Sequence, residues 1–155
     1  MNVINNVRIA TVADLEQVSR LFDLYRCFYG KESNLNESTD FISERLENND
    51  SVIFIFEIDD RTLAGFTQLY PIFSSISAKK AWVLNDLFVC HEFRSQGIAC
   101  QLIRQSLAFC QSSGAKWVSL QTATDNFAAQ RLYHKLGFVQ DTQFLNYNYN
   151  FPAES

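Results

Sequence analysis

Residues 84–99 read Leu-Asn-Asp-Leu-Phe-Val-Cys-His-Glu-Phe-Arg-Ser-Gln-Gly-Ile-Ala. An apolar stretch rich in large residues gives way to a polar turn. Apolar residues then recur at helical spacing: Ile98, Leu102, Ile103, Leu107 and Cys110. That is a strand, a tight turn and a helix start. A strand needs partner strands and an amphipathic helix needs a sheet to cover, so the chain is constrained to a layered α/β arrangement. The turn also hints at chemistry. A helix start carries N–H groups without partners and a partial positive charge, which suits phosphate oxygens. Gly97 lets the backbone approach an anion, and Ala99 keeps the first turn thin.

The remaining elements fall into place around this unit. Residues 6–10 read as a short strand. Thr11, with Asp14 three residues on, starts a helix in which Leu15, Val18, Leu21, Phe22 and Tyr25 repeat at helical spacing until Gly30. After a polar loop, Ser38 or Thr39 is expected to cap a second helix carrying Phe41, Ile42, Arg45 and Leu46, ended by residues 48–50. Residues 51–58 and 63–73 flank the polar turn Asp59-Asp60-Arg61 and predict a β-hairpin. Residues 81–89 and 116–122 predict further strands, Gly114 stops the long helix, and residues 125–136 predict a helix ended by Gly137. In the tail, Leu145, Tyr147, Tyr149 and Phe151 alternate with Asn146, Asn148 and Asn150, the pattern of a strand with one wet face. The order β-α-α-β-β-β-α-β-α-β(β) predicts one domain over residues 1–155. Its mixed α/β (α+β) sheet is mostly antiparallel, and about four helices flank it.

Composition removes several classes of function. At 155 residues the chain can bury a core unaided. No apolar run of about 18 residues exists to span a membrane, and residues 1–8 lack the plan of a signal peptide. A net charge of −4 argues against sequence-blind nucleic-acid binding. Cys27, Cys90, Cys100 and Cys110 form no C-x-x-C pair, and His91 and His134 are the only histidines. No metal site is therefore expected, and the cysteines read as reduced, mostly buried residues of a cytoplasmic protein.

Two phosphate loops do not fit the turn. A nucleoside-triphosphate loop requires Gly-Lys-Ser/Thr, but Ile98 follows Gly97. A dinucleotide fingerprint requires three spaced glycines, and this turn has one. What remains, Arg94-x-x-Gly97-x-Ala99 after a strand ending in Val89, resembles the coenzyme A loop of the GNAT N-acetyltransferase superfamily. Residues 126–138, Asn-Phe-Ala-Ala-Gln-Arg-Leu-Tyr-His-Lys-Leu-Gly-Phe, resemble a second block of that family, with one helix and one strand's worth of chain between the two. The chain departs from the pattern at His91, Ser95 and Ala99, where the family often has Pro, Gly and Gly.

The resemblance implies a GNAT-type fold in which acetyl-CoA lies between two splayed parallel strands, here residues 81–89 and 116–122. Main-chain groups of Leu87, Phe88 and Val89 would pair with pantetheine. The N–H groups of Arg94, Ser95, Gln96, Gly97, Ile98 and Ala99 would hold the pyrophosphate, and Asn126 would contact the pantetheine arm or the helix entrance. The implied reaction is direct attack of a primary amine on the thioester in a ternary complex. At pH 7 an amine of pKa ~10.4 costs roughly 4–5 kcal/mol to deprotonate. Val89 N–H is the expected donor to the oxyanion, and Tyr133 matches the family's acid for the departing thiolate. Asp86 either acts as base through a water or pairs structurally across the sheet. Asn85 stands where polyamine-acetylating members have Glu.

Tyr25, Arg26, Phe28 and Tyr29 end the first helix, where relatives border the acceptor site. They either hold a cationic amine by cation–π contact or pack under the sheet. The acceptor is expected to be a small-molecule amine. The alternatives are a protein lysine or N-terminus, or a non-catalytic acyl-CoA-binding module. The aromatic tail reads either as a sheet edge or as an intersubunit strand of a homodimer.

Overall fold

The computed structural model describes residues 6–153; Met1–Asn5 of the polar N-terminal stretch and the last two residues lie outside it. The chain divides into two compact units, Met1–Gln121 and Thr122–Ser155.

The first unit holds β1 (Val7–Ile9), α1 (Leu15–Phe28), α2 (Leu35–Asn48), β2 (Val52–Asp59), β3 (Thr62–Ser74), β4 (Lys79–Val89), α3 (Ile98–Ser112) and β5 (Val118–Ser119). Single 3-10 turns cover Val12–Asp14 and His91–Phe93. The five strands form one sheet in chain order, antiparallel throughout except for the parallel pair β4–β5. The hairpin turn is fixed by Asp59, whose Oδ1 accepts from the Arg61 N–H at 2.9 Å.

One face of the sheet carries α1 and α2. Val18, Leu21, Phe22 and Ile42 pack there on Ile53, Ile55, Phe66 and Phe88. The buried α1 positions are those that the 3.6-residue period sets on one side. Each fully buried Ile or Phe contributes roughly 1.5–3 kcal/mol relative to exposure. On the other face, Phe109 of α3 meets Phe54 and Trp82 edge-on at 5.7 and 5.5 Å.

A buried carboxylate joins α1 to α2. Asp23 accepts from Ser33 Oγ at 2.6 Å, Asn34 N at 2.9 Å and Ser38 Oγ at 2.9 Å. The Ser33 hydroxyl, then these other donors, hold it below the usual carboxylate range. This corner corrects the expected helix start. Asn34 is the N-cap, accepting from Glu37 N at 3.1 Å, while Ser38 is buried inside the helix with its hydroxyl on Asp23.

The expected strand over residues 116–122 shrinks to Val118–Ser119, because only Trp82 and Val83 of β4 pair with it. The second unit contains α4 (Phe127–Lys135). The strand expected in the tail is absent among the described residues. A strand exists by pairing, and α4 is the one regular element of that unit among the described residues.

Candidate active site

The turn after β4 folds as an anion-binding loop would. Ser95 and Gly97 take φ of +63° and +79°, and α3 begins at Ile98. The first intrahelical bond runs from Gln101 N to Gly97 O at 3.1 Å, so the amides of Ile98, Ala99 and Cys100 precede the hydrogen-bonded ladder. A Cβ on Gly97 would meet nothing within 4 Å. Its glycine is therefore required by the left-handed backbone rather than by crowding. Ser95 sits in the same region, where the family often has Gly. Arg94 Nε donates to Val89 O at 2.9 Å, and its guanidinium lies 5.4 Å from the Phe28 ring and 5.6 Å from that of Phe88.

Upstream, β4 is paired on both sides only as far as Val83. Cys90 N donates to Ala64 O at 2.8 Å, toward β3. Strand alternation then turns the main-chain groups of Phe88 toward β3 and those of Leu87 and Val89 to the open side. The register adds one more feature. Gln68 lies opposite Asp86 and Leu69 opposite Leu84, which leaves Asn85 as a bulged extra residue. Trp82 packs on α3, whereas Phe88 packs on Tyr25 and Phe28 of α1. Six residues apart in a regular strand, the two would share a face; the bulge separates them.

Asp86 lies beside this bulge and is 3% exposed. Its Oδ2 accepts from Gln68 Nε2 at 2.6 Å and its Oδ1 from Asn85 Nδ2 at 3.0 Å. The Thr67 hydroxyl donates to the Asp86 main-chain oxygen at 2.7 Å, and Ser51 Oγ donates to Gln68 Oε1 at 2.8 Å. Tyr25 OH is 3.5 Å from Asn85 O. Burial, then the charge of Asp86, push the Tyr25 hydroxyl far above the usual phenol range, and the same two causes raise Tyr70. Both phenols therefore remain donors at neutral pH.

The predicted acceptor-side residues meet the strand residues here. Tyr25 stands edge-on to Tyr29 at 5.1 Å and to Phe66 at 5.8 Å, and Phe28 is 6.4 Å from Phe88. Arg26 turns instead to α2, with Ser38 Oγ at 3.4 Å and Glu37 Oε2 at 3.3 Å. Sequence reasoning missed Gln68 and Tyr70. The signal for Gln68 was present: a lone amide inside the apolar run of residues 63–70, which is fully buried only when bonded.

In the second unit, Asn126 caps α4, its Oδ1 accepting from Ala129 N at 3.2 Å. The helix ends with Gly137 at φ +97°. Gly137 N donates to His134 O at 3.1 Å and Phe138 N to Tyr133 O at 2.9 Å. This double bond pattern closes a helix on a glycine and brings the flanking apolar residues together. The Tyr133 and Phe138 rings lie 5.8 Å apart accordingly. The Gly-Phe ending thus orients the tyrosine one turn earlier.

The residues present fit a thioester carrier with a pyrophosphate: free amides in a left-handed loop, beside an open strand margin. Among the described residues there is no group of three or more His, Cys, Asp or Glu that could hold a metal, and no helix is long and apolar enough to cross a membrane.

Comparison with known proteins agrees with this geometry. The acetyltransferase (GNAT) family matches residues 18–138. The uncharacterized N-acetyltransferase YhfO of Bacillus subtilis (strain 168) is 41% identical over 149 residues, covering 96% of this chain and 99% of that protein. A crystal structure of a probable acetyltransferase superposes with a TM-score of 0.89 at 37% identity, covering 96% of this chain and 99% of the other. A protein from Clostridium acetobutylicum described as a predicted acetyltransferase, solved with acetyl-CoA, shares the fold at a TM-score of 0.74 and 19% identity, covering 92% of this chain and 95% of the other. The match over most of its length and the identity to YhfO show that this chain belongs to the acetyltransferase (GNAT) family and is an acetyl-CoA-dependent N-acetyltransferase.

Proposed function

We propose that residues 1–155 act as a single catalytic domain that acetylates a primary amine of a small molecule in a ternary complex. The observation that carries this reading is the meeting of three features: the open margin of β4, the unpaired amides at the start of α3, and the buried Asp86 walled by aromatic rings. When bound, acetyl-CoA supplies an acetyl thioester. The amides of residues 95–99 hold its pyrophosphate, the Arg94 N–H being bonded to His91 O at 3.3 Å, and the outward main-chain groups of Leu87 hold the pantetheine, Val89 O being taken by Arg94 Nε at 2.9 Å.

Val89 N–H donates to the charge that develops on the acetyl oxygen. Asp86 removes the amine proton through a water, and Tyr133 returns a proton to the departing sulfur. The rings of Tyr25, Phe28 and Tyr29 receive the cationic acceptor, with the negative Asp86 beside them. Asn126 sets the helix that carries Tyr133. Four free cysteines fit a reducing, cytoplasmic location.

The test is thiol release from acetyl-CoA with a panel of amines: tyramine, spermidine, lysine methyl ester and a short peptide with a free N-terminus. Turnover on small amines, reduced at least tenfold in Tyr133→Phe and Asp86→Asn, supports the reading. Turnover restricted to the peptide transfers the acceptor to protein N-termini. Undiminished turnover in Tyr133→Phe removes the acid. Tight acetyl-CoA binding with no turnover on any amine overturns the acceptor class.

A further inference from the structure

We propose that Gln68 is a positioning residue that holds the Asp86 carboxylate in its working orientation, and that Ser51 anchors the far end of the Gln68 amide. The proposal rests on the reading of Asp86 as the base. Gln68 is fully buried in β3, directly across the ladder from Asp86, where the bulge at Asn85 brings the two side chains together. An amide has a donor end and an acceptor end, while an ionised carboxylate only accepts. Gln68 can therefore serve the charged base in one orientation alone, Nε2 toward Oδ2, and that is the orientation present at 2.6 Å. Ser51 tethers the far end of the amide, donating to Oε1 at 2.8 Å. A flipped amide would set Oε1 against a carboxylate oxygen.

The main chain is held as well, through the Thr67 hydroxyl on Asp86 O at 2.7 Å. The carboxylate thus has one oxygen committed to a buried donor. The other, Oδ1, is held by the exposed Asn85. A purely structural sheet would fill these positions with apolar side chains and avoid burying a charge and an amide.

Tyr25 of α1 and Tyr70 of β3 face Asp86, and both stay protonated at neutral pH. A base held in place by a buried donor works only in that orientation, so losing the donor is read in kcat rather than in KM for acetyl-CoA.

The experiment compares Gln68→Met, which keeps length and loses the amide, with Ser51→Ala and Ser51→Thr, using the best amine of the panel above. For Gln68→Met we expect kcat to fall roughly 10–100-fold with KM for acetyl-CoA unchanged. Ser51→Ala should lower kcat in the same way by a smaller amount, and Ser51→Thr, which keeps a hydroxyl, should restore it. Melting temperature and acetyl-CoA binding establish that each variant is folded.

Asp86→Asn separates the two readings. If it keeps kcat, the base assignment itself falls. If it loses kcat while folded Gln68→Met and Ser51→Ala keep it, the positioning role falls and the base stands. Should Gln68→Met not fold, the Ser51 pair decides: kcat unmoved in Ser51→Ala overturns the proposal.

Discussion

Gly65 is a small residue in a crowded place, and Gly65→Ala tests whether the two central strands are packed as closely as they are drawn. A Cβ at this position would lie 2.5 Å from Phe88 O, and 3.2 Å from both Cα and Cγ2 of Val89. Two of these three neighbours are backbone atoms, so no rotamer change removes the clash. Restoring ordinary contact requires β3 and β4 to part by roughly 0.5–0.9 Å, and close-packed interiors resist such shifts. Overpacking of this size costs about 1–3 kcal/mol. For a chain of this length that lowers Tm by roughly 3–10 °C.

The displacement falls on Val89, whose N–H is the proposed oxyanion donor. A shift approaching 1 Å there lowers kcat by up to about 100-fold. Thermal melting reads the first effect, and thiol release at saturating acetyl-CoA reads the second. A variant with Tm within 1 °C of the parent and an unchanged kcat would refute the reasoning, because it would mean that the strands separate freely at this point.

Other outcomes follow from the same structure. Asp23→Ala strands the buried Ser38 hydroxyl and Asn34 N–H without their acceptor. It should cost about 2–4 kcal/mol, a Tm loss of roughly 5–15 °C by calorimetry. Ser95→Gly relieves a left-handed residue at φ +63° and should gain about 0.5–1 kcal/mol, read as a higher urea midpoint with unchanged slope. The hydrogen bond from Arg8, followed by that from Thr11 N–H, holds Asp14 below its usual 3.8 against the opposing effect of burial. Its stabilisation is therefore complete above about pH 5 and is lost as pH falls below 4. Arg8→Met should flatten the fall in urea midpoint between pH 5 and pH 3; an unchanged slope would remove this ion pair from acid denaturation.

Local chemistry was readable in the sequence, and tertiary choices were not. The spacing of Leu15, Val18, Leu21, Phe22 and Tyr25 predicts the covered face of α1, and Gly30 ends it with φ of +88°. The turn after β4 was legible because its backbone conformation depends on a glycine at a fixed offset from Val89. The start of α2 was misplaced because Ser38 looks like a cap from its neighbours, whereas Asp23, fifteen residues earlier, claims its hydroxyl. The extent of β5 depends on how far β4 stays beside it, which is a property of two strands together. Asp86 was found by type and position, but its partner Gln68 came from another strand, and a bulge has no mark in local composition.

That bulge makes the length of β4 as constrained as its residues. Removing one residue near Asn85 would restore regular alternation and turn every side chain on one side of the cut to the opposite layer. Either Asp86 and Phe88 would leave α1, or Leu84 and Trp82 would leave α3. Substitutions can retune this strand one position at a time, whereas a single-codon deletion would rewrite half of it at once. Divergence among relatives that keep the reaction should accordingly spare the number of residues between Trp82 and Phe88, even where their identities drift.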